Sequence, residues 1–232
     1  MSTPTQARAD RNRLLYMILG GVVVVGALVA AIAWYATGSS STTTVADTSS
    51  VDVTAGDSSI LVGSADAPVK VVIYEDFACP ACADLENETR DYLHQNAAQD
   101  KVQVEYQPIN LLADAPYSAE ALGAWGAVLK NASPQAALKL HDLLFENQPG
   151  DGASLPVDMA ALAKKAGASS SEVTSALATP DAEFLAAAHQ QMVDKAVAST
   201  PTVYIDGTRA AGQTAAQLVT AIENAVSGTS AP

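Results

Sequence analysis

Cysteine is scarce in this chain: its 232 residues hold two, Cys79 and Cys82, both inside the stretch DFACPACADLE. A disulfide-stapled scaffold needs several bridges and is excluded, and a ring closed over two intervening residues recovers little loop entropy. A zinc site takes four ligands, usually supplied by a second CxxC or by histidines at helical spacing. No second CxxC exists, and the three histidines, His94, His141 and His189, fall on separate segments with no shared spacing. Each therefore reads as a surface or packed residue, and no metal is expected. Basic residues are also few, 12 against 25 acidic. Three of the 12 precede residue 14, so residues 37–232 carry nine basic and 24 acidic side chains. Such a surface is a poor partner for nucleic acid or anionic lipid headgroups. Internal repeats are absent. At 49% hydrophobic and 16% charged, the composition suits one globular domain with extras rather than a disordered chain.

What the sequence does hold, first, is an apolar run. Residues 14–36, LLYMILGGVVVVGALVAAIAWYA, are 23 positions without a charge, enough to cross the roughly 30 Å hydrocarbon core of a bilayer as a helix. Arg8, Arg11 and Arg13 precede it and the next basic residue is Lys70, so residues 1–13 are expected in the cytoplasm. Trp34 and Tyr35 stand where an aromatic belt marks the outer interface. The alternative is a cleaved signal peptide cut after AIA at 31–33, but the run exceeds the usual h-region of about 7 to 15 residues, which favours a retained single-pass anchor in the cell membrane. Either way the remainder is exported to an extracytoplasmic compartment, where disulfides persist. Residues 37–59, rich in Ser, Thr, Asp and Gly without apolar period, read as a flexible linker.

A domain is expected over residues 60–228. VKVVIYEDF, from Val69, reads as a buried strand that runs straight into the CxxC. From Pro80 the chain turns helical, with proline in its first turn and acidic residues in its early turns. KVQVEYQPIN alternates Val102, Val104 and Tyr106 and gives a second strand; the βαβ unit so formed predicts a parallel pair. Residues of about 115–198 form a helical block, with segments near 118–130, 134–145, 157–165, 171–177 and 181–197. TPTVYIDGTR, from Thr200, gives a strand, an Asp206-Gly207 hairpin turn and a return strand. An amphipathic helix carrying Ala215, Leu218, Val219, Ile222 and Val226 closes the domain. Trp125, Leu111, Leu112, Leu143, Leu144 and Phe145 read as core, or for the leucines and Phe145 as the lining of an apolar groove.

Placement argues for redox chemistry at the cysteines. A thiolate is the nucleophile, and the free N–H groups and dipole at a helix start stabilise an anion. Cys79 sits there, exposed, with a lowered pKa, while Cys82, one turn on and facing inward, is the resolving thiol. In TPT, the Thr200–Pro201 bond is open to either isomer; from this stretch alone a trans proline opening a strand is the ordinary reading.

Strand, CPAC, helix, helical block and TPT-strand-DG together resemble the thioredoxin superfamily, in particular the DsbA-like branch of exported thiol-disulfide oxidoreductases, and DAPVKVVIYEDFACPAC is similar to the opening of membrane-anchored or lipid-anchored bacterial members. The resemblance implies an α/β thioredoxin fold, with a central mixed β-sheet and a helical insertion, preceded here by one N-terminal transmembrane helix. It implies that Cys79 attacks and Cys82 resolves, that Pro80 and Ala81 shape the site, and that Pro201 is cis with Thr200 touching the substrate chain. It implies no cofactor beyond the redox-active Cys79–Cys82 disulfide. Members commonly carry a buried Glu six residues before the first cysteine, where this chain has Ile73; Glu75 or Asp76 are the substitutes for a proton relay, on opposite faces by strand alternation. The strongest oxidants of the branch have Pro-His between the cysteines. Ala81 offers the thiolate neither cation nor donor, so a smaller pKa shift and a less oxidising pair are expected.

The first functional expectation is therefore a monomeric enzyme that introduces disulfides into reduced exported polypeptides and is reoxidised by a membrane oxidase of the DsbB-like or vitamin K epoxide reductase-like kind. A reductase or isomerase using the same cysteines is the second. A non-catalytic peptide-binding or chaperone-like module is the third.

Overall fold

The computed structural model describes residues 51–150 and 156–228. The expected cytoplasmic segment 1–13 and anchor 14–36 lie outside the described residues, as does most of the expected linker. Among the described residues no helix is long and apolar enough to cross a membrane.

The elements follow in the order β1 (Val53–Ala55), β2 (Ile60–Val62), β3 (Val69–Glu75), α1 (Pro80–Ala97), β4 (Val102–Pro108), α2 (Pro116–Asn131), α3 (Pro134–Glu146), α4 (Met159–Lys165), α5 (Ser171–Ala178), α6 (Ala182–Asp194), β5 (Thr202–Ile205), β6 (Thr208–Arg209) and α7 (Ala215–Ser227). The strands form one sheet in the order β1-β2-β4-β3-β5-β6. The expected parallel pair is there, with Val71 opposite Val104 and Ile73 opposite Tyr106; the other pairings are antiparallel.

The central strand β3 is covered on both faces from Val71 onward, which is why its stretch 71–74 reads as a continuous apolar run instead of alternating. Val71 and Ile73 enter the main core with Val102, Val104 and Tyr106 of β4. Tyr74 enters a smaller cluster with Ile109 and Val197, against which Val72 and Tyr204 pack. Helices α1 and α7 pack on each other and on the central strands, while α3 lies over β1 and β2 and reaches α1.

Four of the five helices in the helical block start on a side-chain cap, while α2 starts at Pro116 after Ala115 without one. Ser133, Asp158, Ser170 and Asp181 each accept a backbone N–H from the first turn that follows, and Pro134 occupies a position where no N–H is needed. The last helix of the block ends at Asp194, short of the expected 197, because Ala196 takes a left-handed φ of 50° and the Val197 N–H turns back to Met192 O at 2.9 Å, a Schellman-like stop.

One boundary is corrected. Residues 51–59 belong to the domain rather than to a flexible linker: Val53 pairs with Val62, Gly56 N–H donates to Ser59 O at 2.9 Å, and Ser58 is buried, accepting from Gln107 Nε2 at its carbonyl (2.6 Å). Three-residue strands carry too little alternation to stand out in a Ser/Thr-rich stretch.

Trp125, fully buried, donates from Nε1 to Ala137 O at 3.0 Å and lies between Phe77 and Phe184, with ring centroids at 6.4 and 6.1 Å. Leu143, Leu144 and Phe145 are core; Leu112 is 38% exposed. Gly126, beside the tryptophan, is the point where α2 meets the Phe184 ring: a Cβ there would fall well inside van der Waals contact. Gly126→Ala is therefore expected to cost about 1 to 3 kcal/mol in chemical denaturation despite alanine's better helix propensity. Gly123→Ala, whose Cβ would meet Pro180 at an ordinary 3.5 Å, is expected to be neutral or stabilising by up to about 1 kcal/mol.

Candidate active site

Between the end of β3 and the start of α1 the chain must turn and present two sulfurs, and Asp76 builds that turn. Its Oδ1 accepts from Ala78 N–H (2.8 Å) and its carbonyl from Cys79 N–H (2.9 Å). Its Oδ2 accepts from Leu112 N–H (2.9 Å) and from the Ser118 hydroxyl (2.7 Å). Gln148, just past α3, donates from Nε2 to the carbonyls of Phe77 (2.6 Å) and Cys79 (3.1 Å). The loop is thus tied to β4's exit, to α2 and to the end of α3.

Cys79 is the N-cap of α1 with an extended φ, ψ of −84° and 116°, followed by Pro80, and no acidic residue occupies the helix's first turn. The acidic residues expected early in the helix, Asp84 and Glu86, come only after the first turn, which matters because a carboxylate in the first turn would oppose a thiolate. The Cys79 pKa falls from an ordinary value near 9 to about 6. The Cys82 thiol, donating to the Cys79 sulfur, is the largest cause; burial opposes it, and the Thr200 side chain and the N–H groups of Cys82 and Ala81 add to it. Cys82 moves the other way, well above the usual thiol range, first through burial, then through donating to Cys79 and the negative charge on it. Neither sulfur is openly exposed, with Cys79 at 7% and Cys82 at 1%, so the expected contrast of exposed and shielded residues is one of degree.

The Thr200–Pro201 bond is cis. As a thiol, Cys79 Sγ donates to Thr200 O at 3.4 Å, so the loop before β5 lies directly against the Cys79 sulfur. A cavity of about 350 Å³ opens beside it, lined by Ala81, Thr200, Pro201, Thr202 and the start of α7. Pro80 is exposed and Ala81 half-buried, so of the residues between the cysteines Ala81 faces the cavity.

Glu75 and Asp76 are both buried but do different things. Both oxygens of Asp76 are committed to donors that hold the loop, so it anchors rather than relays. Glu75 faces a buried charge network: its Oε1 accepts from His141 Nε2 at 2.5 Å, and His141 Nδ1 donates to Asp142 Oδ1 at 3.1 Å. Since both ring nitrogens face carboxylate oxygens, both must donate, which makes His141 an imidazolium. Burial alone would lower its pKa; Glu75 and Glu86, with hydrogen bonds to Asp142 and Glu75, overcome that and raise it to about 10. Arg90 supplies the second cation, bonded to Glu86 (2.8 Å) and Glu146 (2.9 Å). Burial lifts Glu86 to about 7, against the pull of His141 and Arg90. Oxygen and nitrogen atoms of Glu75, Glu86 and His141 lie within 4.8 Å of one another, a spacing that would suit a metal. In this arrangement, however, each is turned onto another member of the network, and the two cations answer the carboxylates directly.

With this geometry in view, the comparisons are specific. A profile of the family described as thioredoxin matches residues 55–224. The chain belongs to the thioredoxin family. It is similar to MdbA, a thiol-disulfide oxidoreductase from Corynebacterium diphtheriae, at 27% identity and a TM-score of 0.61 over 78% of this chain and 94% of that one. It is also similar to the reduced form of the disulfide bond oxidoreductase DsbG from Mycobacterium tuberculosis, at 26% identity and a TM-score of 0.60 over 72% and 86% of the two chains. Oxidised BdbD from Bacillus subtilis shares the fold, with 22% identity and a TM-score of 0.61 over 76% of this chain and 100% of that one. No curated protein matches the chain.

Sequence reasoning about this thioredoxin-family chain placed Cys79, Cys82, Thr200 and Pro201, which the fold brings together, but missed Gln148, Ser118 and His141. His141 lies 66 residues from its partner Glu75, and its local sequence carries no sign of that pairing. The nearest hint was the Glu86–Arg90 pair at i, i+4 on α1.

Thiolate absorbance of the reduced protein is expected to titrate with a midpoint near pH 6 for Cys79, and Cys82→Ala, which removes the main donor, to raise that midpoint. Because the folded pKa lies below the unfolded one, the thiolate stabilises the reduced protein fully above about pH 9 and the gain is lost as pH falls through about 6. Cys82, raised by burial, stays protonated in the folded state over this window; in the unfolded state it ionises only toward the upper limit, where it begins to offset the gain. The melting temperature of reduced relative to oxidised protein should therefore climb between those limits. Separately, His141→Leu strands buried carboxylates and is expected to cost about 3 to 5 kcal/mol in denaturant titration.

Proposed function

We propose that the chain is a protein disulfide oxidoreductase whose CPAC pair donates its disulfide to reduced exported polypeptides. The observation that carries this is the opposite displacement of two thiols three residues apart: Cys79 pulled down to about pH 6 by hydrogen-bond donors, Cys82 pushed up by burial. A client thiolate attacks the Cys79 sulfur of the Cys79–Cys82 disulfide. That bond breaks, its electron pair leaves on Cys82, and Cys82 takes up a proton. A client–Cys79 mixed disulfide remains. A second client thiolate then attacks the client sulfur, and Cys79 leaves as a stable thiolate. The client loses two electrons and the enzyme gains them. Low basicity at Cys79 makes it the better leaving group in this last step.

Thr200 and Pro201 hold the client backbone, and Pro80 and Ala81 form the opposite lip. Of the two acidic candidates for proton traffic, Glu75 is assigned, because its side chain belongs to the buried charge network with His141 while the Asp76 side chain is fully occupied in the loop. The likeness to MdbA and DsbG supports the chemistry. The uncharged run at 14–36 and the arginines before it support a membrane-anchored protein with an extracytoplasmic catalytic domain, recycled by a quinone-linked membrane oxidase of the DsbB-like or vitamin K epoxide reductase-like kind. The cysteine pair needs no further cofactor.

A Cys79 pKa near 6 lies between the values of about 7 for thioredoxin and about 3.5 for the strongest donor of this superfamily. The potential against glutathione is correspondingly expected between about −270 and −120 mV; a value at or below the lower limit would make the protein a reductant instead. Refolding of reduced, denatured ribonuclease is expected with wild type and not with Cys79→Ser, and equal activity of the two would point to a non-catalytic binding module.

A further inference from the structure

The cavity beside the cysteines has a charge pattern that the exchange chemistry does not require. In a chain with 25 acidic and 12 basic residues, its lining contains no acidic side chain and one basic one, Arg209. Arg209 sits on the short outer strand β6, opposite Tyr204, and is exposed. Its hydrogen bond, from Nη2 to Thr202 Oγ1 at 3.3 Å, leans the guanidinium over the loop that carries Pro201. Thr202 cannot neutralise it, and its own hydroxyl proton goes to Ser199 O at 2.7 Å. No carboxylate among the described residues lies within ion-pair distance of Arg209, whereas Arg90 and Lys130 both have acidic partners. A guanidinium with several free N–H donors in a groove is suited to a carboxylate.

From this we infer that Arg209 forms a carboxylate-selecting subsite, and that the enzyme prefers client cysteines with an Asp or Glu two residues away. The inference rests on the client-oxidation reading above and specifies the substrate class for the same groove. The spacing follows from the chain. Thr200 O faces the Cys79 sulfur, and Arg209 is anchored at Thr202, two residues along. In an extended client lying beside this loop, side chains two apart share a face and are separated by about 7 Å. A client cysteine joined to Cys79 would therefore direct the side chain two positions away toward the guanidinium. The chain as a whole is net negative, so one unpaired cation in the groove discriminates by cancelling a repulsion as well as by attraction.

The test uses the oxidised full chain and two dithiol peptides that differ only in carrying Glu or Lys two residues from each cysteine. The second-order rate of reduction of the enzyme disulfide is followed by rapid alkylation, and the Glu-to-Lys rate ratio is the readout, so a general change in rate does not imitate the effect. Relative to wild type, the ratio is expected to fall about two- to fivefold in Arg209→Met, the range of exposed ion pairs. It should fall further in Arg209→Glu and be largely kept in Arg209→Lys. The differences should shrink as salt is raised. Lys101→Met, which removes one charge at the far end of α1, controls for net charge and is expected to leave the ratio alone. An equal ratio in wild type, Arg209→Met and Arg209→Glu, or an equal fall in Lys101→Met, would overturn the subsite while leaving the disulfide exchange intact. Failure of the wild type to exchange with either peptide would overturn the oxidoreductase reading, and the subsite with it.

Discussion

The Cys79 sulfur holds its negative charge without a counter-cation. Every cause that lowers its pKa is a hydrogen-bond donor: the Cys82 thiol first, then the Thr200 side chain and the N–H groups of Cys82 and Ala81. Three of these donors belong to the first turn of α1 and one to the loop before β5, so the anion exists only while those two pieces of chain stay in register. Much of the surrounding structure serves that constraint. Asp76 closes the turn out of β3, Gln148 clamps the carbonyls of Phe77 and Cys79, and β3 itself is fixed between β4 and β5. The largest donor is the neighbouring thiol, so a disulfide between the two sulfurs would consume the group that steadies the reduced state.

Opposite pKa shifts within one helical turn come from depth. Cys79 lies at the rim, where donors outweigh burial, and Cys82 is 1% exposed, where burial dominates. Beneath them the His141 network joins the helical block to the strand that delivers the cysteines. Two cations, His141 and Arg90, answer the carboxylates of Glu75, Glu86, Asp142 and Glu146. Buried ion pairs of this kind seldom add much net stability relative to apolar packing, yet breaking one is costly because it leaves a charge alone. Their effect here is to fix how α3 sits against β3 and α1, and with it the position of Gln148 at the end of α3.

Some of this was legible in the chain. The apolar run of β3, the alternation of β4, the proline after Cys79 and the Asp206-Gly207 turn are local signals, each read within a few residues of where it acts. The two short strands β1 and β2 were not legible, because three residues in a Ser/Thr-rich stretch show no period and their pairing depends on the exposed edge of β4. The choice between Glu75 and Asp76 was not legible either: alternation placed them on opposite faces, but only the partners waiting on each face separate a loop anchor from a member of the charge network. The partners of His141 were not legible for the same reason: it is packed, as read, but its charge depends on residues of β3 and α1.

The sequence by itself determined the place of the two sulfurs and their order along the helix, because a CxxC opening a helix needs only neighbours in the chain to bring two sulfurs together with free N–H groups. Tertiary structure alone decided what surrounds them: the Thr200 loop against Cys79, the Glu75–His141 pair, and a groove whose lining includes a single unpaired arginine. Those depend on contacts between segments 60 to 130 residues apart, and Coulomb and hydrogen-bond energies follow distances in space, which local patterns of residues do not encode.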